Sequence, residues 1–154
     1  EAGIQSLNPR TLQEINRHND IEKAFSNLEK LIKNDNIRIH LDLIAGLPYE
    51  DKNSFISGFN KVYSLSPHIL QLGFLKVLNG TVIKENAAAY QLEYSKYPPY
   101  QVISTAYLSV WDMIELKTAE NGLDTKAFLK DRWQLCFRKI RSCHMIFSDW
   151  QGKI

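Results

Sequence analysis

Between Ile37 and Ile44 the chain alternates. Ile37, Ile39, Leu41 and Leu43 fall on one face, and Arg38, His40, Asp42 and Ile44 on the other. The pattern predicts a strand whose aliphatic face is covered by helices and whose polar face looks into a lumen. Gly46, Leu47 and Pro48 end it, because glycine permits a sharp turn and proline cannot donate to the ladder. Asp51 is then placed to cap a helix reaching about Leu65, with Phe55, Phe59, Val62 and Tyr63 at helical spacing. In α/β folds ligands lie beyond the carboxyl ends of such strands, where Asp42, Ile44 and Gly46 fall.

The same strand-loop-helix rhythm precedes and follows this stretch. Residues 1–6 alternate, Glu1, Gly3 and Gln5 against Ala2, Ile4 and Ser6, and predict a short strand. Asn8 before Pro9 is a helix start, carrying Leu12 and Ile15 inward, and Arg17 falls at or just past the helix end. Asp20 caps a second helix with Ile21, Ala24, Phe25, Leu28, Leu31 and Ile32 on one stripe, closed by Asn34-Asp35-Asn36. After Ser66-Pro67, residues 69–76 predict a third strand, with Leu70, Leu72 and Phe74 on one face and Gln71, Gly73 and Leu75 on the other.

The second half reads differently. Asn79-Gly80-Thr81 is a turn, residues 81–89 suit a short helix, and the aromatic run Tyr90 to Tyr97 ends in Pro98-Pro99-Tyr100, which excludes helix. Ser104 is expected to cap a helix stopped by Gly122. A last helix is expected over residues 125–147, with Phe128, Trp133, Phe137 and Ile140 inward and Lys130, Arg132, Arg138 and Arg141 solvated. The fold class is therefore α/β: about three parallel strands with covering helices over residues 1–83, then a mostly helical extension over 84–154.

Composition narrows the classes of function. Of 154 residues, 44% are hydrophobic and 23% charged, which gives one soluble core. A net charge of +2, with its cations scattered among acids, gives no nucleic-acid footprint. No apolar run approaches the roughly 20 residues that span a bilayer, and no signal peptide opens the chain, so a cytoplasmic protein is expected. The two cysteines, Cys136 and Cys143, lack C-x-x-C spacing and read as free thiols, so no metal site is assigned. Glu1 already reads as the middle of a structural unit, which suggests a piece of a longer polypeptide.

Three separated motifs carry a resemblance. Residues 1–6 with Arg17, the run Asp42 to Pro48, and residues 69–81 ending in Asn79-Gly80-Thr81 resemble the fourth, fifth and sixth strands of radical S-adenosylmethionine (radical SAM) enzymes. The likeness is greatest to those similar to oxygen-independent coproporphyrinogen oxidases and to cobalamin-associated members. It covers residues 1–83, while Pro98-Pro99-Tyr100 and the helices after it look like the extension of a bacterial branch of uncharacterised members.

The resemblance implies a partial (β/α) TIM-like barrel holding S-adenosylmethionine across its strand ends. Gln5 would bond the ribose hydroxyls or amino group, and Arg17 the methionyl carboxylate. Asp42 would take another polar group, Ile44 would pack on the adenine, and Leu75 and Lys76 would offer backbone groups to its edge. Each has a plainer reading: Gln5 a satisfied core amide, Arg17 a surface cation, Asp42 a buried partner of Arg38 or His40. The resemblance also implies a [4Fe–4S] cluster held by three closely spaced cysteines near the start of the barrel, which this chain lacks. The full-length protein is then expected to cleave S-adenosylmethionine to a 5′-deoxyadenosyl radical, whereas this piece, with no catalytic residue of its own and no cofactor bound, is expected to be inactive. Its expected partners are the missing N-terminal half and, through the exposed barrel edge, a second copy, unless residues 90–100 fold back over that edge. The alternative function is a non-catalytic α/β docking module that uses the aromatic C-terminal half.

Overall fold

The computed structural model describes residues 1–17 and 20–123. Contacts divide the chain into two compact units, residues 1–113 and 114–154. The expected helix over 125–147, with both cysteines, lies outside the described residues.

In order, the elements are β1 (Ala2–Gln5), α1 (Pro9–Glu14), α2 (Ile21–Asn34), β2 (His40–Ala45), α3 (Lys52–Ser64), β3 (Ile69–Phe74), α4 (Val82–Glu85), β4 (Glu93–Tyr94), β5 (Val102–Ser104) and α5 (Val110–Leu123). The first three strands form a parallel sheet in the order β1-β2-β3. Helices joining consecutive strands are what parallel pairing requires. Asn8, Asp20 and Asp51 cap α1, α2 and α3, each side chain accepting from backbone N–H groups of the first turn. Asp35, at φ 48°, closes α2 in the left-handed region.

The faces of β2 divide as the alternation predicts. Ile39, Leu41, Leu43 and Ala45 are buried, whereas His40, Asp42 and Ile44 are half-buried. Phe25 and Leu28 of α2, with Phe55, Phe59 and Val62 of α3, complete the core. On β3, Leu72 and Phe74 are buried and Gln71 is exposed. The strand starts at His40 rather than Ile37, which is 50% exposed. Ile37 and Arg38 are exposed, and the pairing with the third strand begins at Ile39, whose carbonyl accepts from Ile69 N–H.

A second, antiparallel sheet pairs β4 with β5. The segment leading into β5 also runs back along the end of β3, with Val102 N–H donating to Leu75 O and Val77 N–H to Tyr100 O. Ser104 therefore ends a strand, and the helix assigned to it starts later, at Val110. There Ser109 and Asp112 cap each other: the Asp112 carboxylate accepts from Ser109 N–H, and Asp112 N–H donates to Ser109 Oγ. The Ser104 hydroxyl instead bonds Glu93 across the two strands. Lys52 Nζ reaches Asp112 at 3.1 Å. Desolvation raises the Asp112 carboxyl, but bonds from Ser109 and Lys52 outweigh it and hold it below the usual range.

Candidate ligand site on the polar face of the sheet

Register builds the polar face row by row. Gly3, Asp42 and Gln71 are paired across the three strands, and Ile44 and Gly73 form a row nearer the carboxyl ends. Between Gly3 and Gln5 the register of β1 slips. The cause is a γ-turn: Ser6 N–H bonds Ile4 O at 2.9 Å, and Gln5 between them has φ 67°. A non-glycine residue held there costs roughly 1–3 kcal/mol, so its neighbours must fix it.

Gln5 spends that conformation on its side chain. A Cβ built at Gly3 would collide with Gln5 Nε2 and lie 3.7 Å from Arg17 Nη1. The amide is therefore folded across the bare backbone of Gly3, beside the guanidinium. Arg17 donates from Nη1 to Gly3 O at 2.9 Å and is otherwise exposed. Asp42 stands beside Gly3 in register, with His40 Nε2 3.1 Å from its Oδ1. Of its two expected partners the structure selects His40; Arg38 is exposed. The His40 and Asp42 atoms are buried and face each other, yet neither makes a hydrogen bond of good geometry. Desolvation raises the Asp42 carboxyl, His40 opposes this, and Glu1 adds to it. The structure thus brings Gln5, Arg17 and Asp42 together around Gly3.

The other three candidates lie further along, toward and past the carboxyl ends of β2 and β3. Ile44 Cγ1 is beside Gly73, 3.8 Å from where a Cβ would stand. Leu75 has both backbone groups bonded within the protein, its N–H to Ala45 O and its carbonyl to Val102 N–H. Lys76 pairs with Gln101 at a position where the ladder bonds are made by its neighbours Leu75 and Val77, so its own N–H and C=O face away from residues 100–102. Gly46, at φ 89°, closes the end of β2, and a Cβ there would stand 3.3 Å from Met113 Cε.

One buried group had no signal in the sequence. Glu50 is 2% exposed, accepts from Ser6 Oγ at 2.5 Å through Oε1, and leaves Oε2 buried without a hydrogen-bond partner. Next to a capping aspartate it reads as a solvated loop carboxylate. Two further bonds hold the loop after β2, Asn8 Nδ2 to Tyr49 O and, from α1, Thr11 Oγ1 to Pro48 O. Above them the Tyr49 ring meets those of Tyr90 and Tyr107 at 6.0 and 5.7 Å, with the Arg10 guanidinium 3.9 Å from its centroid. Desolvation and a bond to Glu14 push the Tyr90 hydroxyl up to about 12.

Desolvation raises Glu50 from 4.5 to about 7; the Ser6 bond opposes this and Asp51 adds to it. The sign follows from proton binding. Between those two values the folded state holds a proton that the unfolded state has released, so stability is greatest below the lower value and falls as pH rises through the upper one. Urea unfolding at about pH 5 and about pH 8 should show a loss on the order of 2–3 kcal/mol in the native chain relative to Glu50→Gln. An equal slope in the variant would assign the pH dependence to other groups.

Against this geometry the likenesses can be set. The structure matches the coproporphyrinogen III oxidase of Escherichia coli, a radical SAM enzyme, with a TM-score of 0.53 and 23% identity, over 77% of this chain and 25% of that one. The likeness is one of fold: residues of this chain take the arrangement of a quarter of that protein. An uncharacterized protein of Bacillus subtilis, YtqA, is 29% identical over 100 residues, which cover 65% of this chain and 31% of that protein. Residues 88–125 match a family described as a protein of unknown function (DUF4080). The chain therefore spans less than a third of the length of the radical SAM enzyme and of the relative it matches. Among the described residues no group of three or more His, Cys, Asp or Glu side chains is placed to hold a metal ion, and no helix is long and apolar enough to cross a membrane.

Proposed function

We propose that this chain is part of a radical SAM oxidoreductase and that the polar face of its sheet binds S-adenosylmethionine. The observation that carries the reading is the convergence of Gln5, Arg17 and Asp42 on the bare backbone of Gly3, on the polar face of the parallel sheet and one row short of the Ile44 and Gly73 pair that leads to its carboxyl end. The donor set fits that cofactor. A guanidinium with donors beyond the one given to Gly3 O suits a carboxylate, and an amide both donates to and accepts from hydroxyls. Ile44, half-buried beside Gly73, offers apolar surface to an adenine ring.

When bound, the cofactor supplies a 5′-deoxyadenosyl radical by one-electron cleavage. The residues here hold and orient it. They do not fit the [4Fe–4S] cluster such chemistry draws on, because three thiolates are needed and the sequence contains two cysteines, neither among the described residues. The cluster ligands would come from the remaining polypeptide, which would also pair with the outer edge of β1. An apolar groove of about 430 Å³ lined by Ile4, Leu12, Phe25 and Leu28 lies beside that edge.

Anaerobic incubation of the intact protein with S-adenosylmethionine and a strong reductant tests the reading. It should yield 5′-deoxyadenosine, and residues 1–154 alone should yield none. An intact protein that neither binds nor cleaves S-adenosylmethionine would overturn it.

A further inference from the structure

We infer that Glu50 is a positioning residue for the Gln5 amide: through the Ser6 hydroxyl it locks the γ-turn that lays Gln5 across Gly3 beside Arg17. The inference rests on the reading that this amide touches the ligand.

The chain of contacts is short. Ser6 is the third residue of the turn, and its N–H closes it onto Ile4 O. Its side chain is 1% exposed and engaged twice, donating to Glu50 Oε1 and accepting from Asn8 N–H at 2.9 Å. Those two bonds fix where the Ser6 backbone stands, and the Ser6 backbone fixes Gln5. Left to itself, Gln5 would relax to negative φ, since a side chain at φ 67° is crowded by its own backbone. Relaxation would swing its amide off the polar face.

The carboxyl group is also an unlikely choice for plain packing. A buried, half-bonded carboxyl is costly, and an apolar residue of the same size would relieve that cost. What an apolar residue cannot do is hold a hydroxyl in one rotamer. Glu50 comes from the loop after β2 and Ser6 from the loop after β1, so the bond also ties the strand carrying Gln5 to the strand carrying Asp42 and Ile44. The bond from Thr11 of α1 to Pro48 O ties α1 to the loop after β2 without touching the turn, which gives an internal control.

The test uses the intact protein with its glutamine side-chain amides labelled with ¹⁵N, the Gln5 pair assigned by its absence in Gln5→Ala. Ser6→Ala and Glu50→Leu should shift or broaden that pair without ligand present, and should weaken S-adenosylmethionine binding about tenfold. Glu50→Gln, which keeps an oxygen for Ser6, should restore both. Thr11→Val should lower the melting temperature and leave the Gln5 pair in place. An unmoved Gln5 signal in Ser6→Ala and Glu50→Leu would overturn the inference, as would an equal movement in Thr11→Val. A native protein that binds no S-adenosylmethionine while its Gln5 signal responds as expected would refute the ligand reading and support the positioning one.

Discussion

Replacing Leu41 with alanine should destabilise the chain by about 2–5 kcal/mol, a large share of the roughly 5–15 kcal/mol that holds a domain folded. Leu41 is fully buried at the centre of the sheet, paired in register with Ala2 on one side and Leu70 on the other. Removing its three outer carbons forfeits their transfer from water and leaves a cavity the strands cannot close, because both neighbours are tied by the parallel ladder. Ile44→Ala, three residues away on the opposite face, should cost less, since Ile44 is only half-buried. Urea titration of both variants measures the two faces directly. If Ile44→Ala proved the more damaging, the division of β2 into a core face and a ligand face would be wrong.

The site should respond differently from the core. Gly3→Ala is expected to weaken S-adenosylmethionine binding by the intact protein about tenfold or more, with little change in melting temperature. The added methyl meets the far end of the flexible Gln5 side chain, not backbone. The amide therefore moves aside at small cost to folding and is lost to the ligand. Arg17→Ala should cost about 1.5–3 kcal/mol of binding free energy, the range of a hydrogen bond to a charged group. Being exposed, Arg17 contributes to folding mainly through its bond to Gly3 O. Calorimetric titration together with thermal melting separates the outcomes. Unchanged affinity with a lowered melting temperature would make Arg17 and Gly3 structural residues only.

Local chemistry made much of this chain legible. Asn8, Asp20 and Asp51 cap their helices because the bonds involved reach only three residues ahead, a distance the sequence displays. The alternation from Ile39 to Ala45 separates the faces of β2 because successive side chains on a strand must point oppositely. Gly3 and Gln5 stay on one face, as their spacing suggests, although the backbone at Gln5 is a γ-turn and not regular strand. Ser104 was ambiguous: serine caps helices and also bonds across strands. Pairing of residues 100–102 with 75–77 took it into a sheet and left the cap to Ser109 and Asp112.

The sequence by itself determined the order of strands and helices as far as β3, the caps of α1, α2 and α3, and which face of the sheet is polar, since each follows from periods and spacings of a few residues. Only the tertiary structure decided that Arg17 reaches back to Gly3, that Asp42 pairs with His40 and not Arg38, and that Glu50 is buried against Ser6. Those contacts join residues that strand register and loop packing bring together from as far as 44 positions apart. Whether a charged side chain is solvated or enclosed depends on what the fold lays over it, and for Glu50 that is a serine from the neighbouring strand's loop.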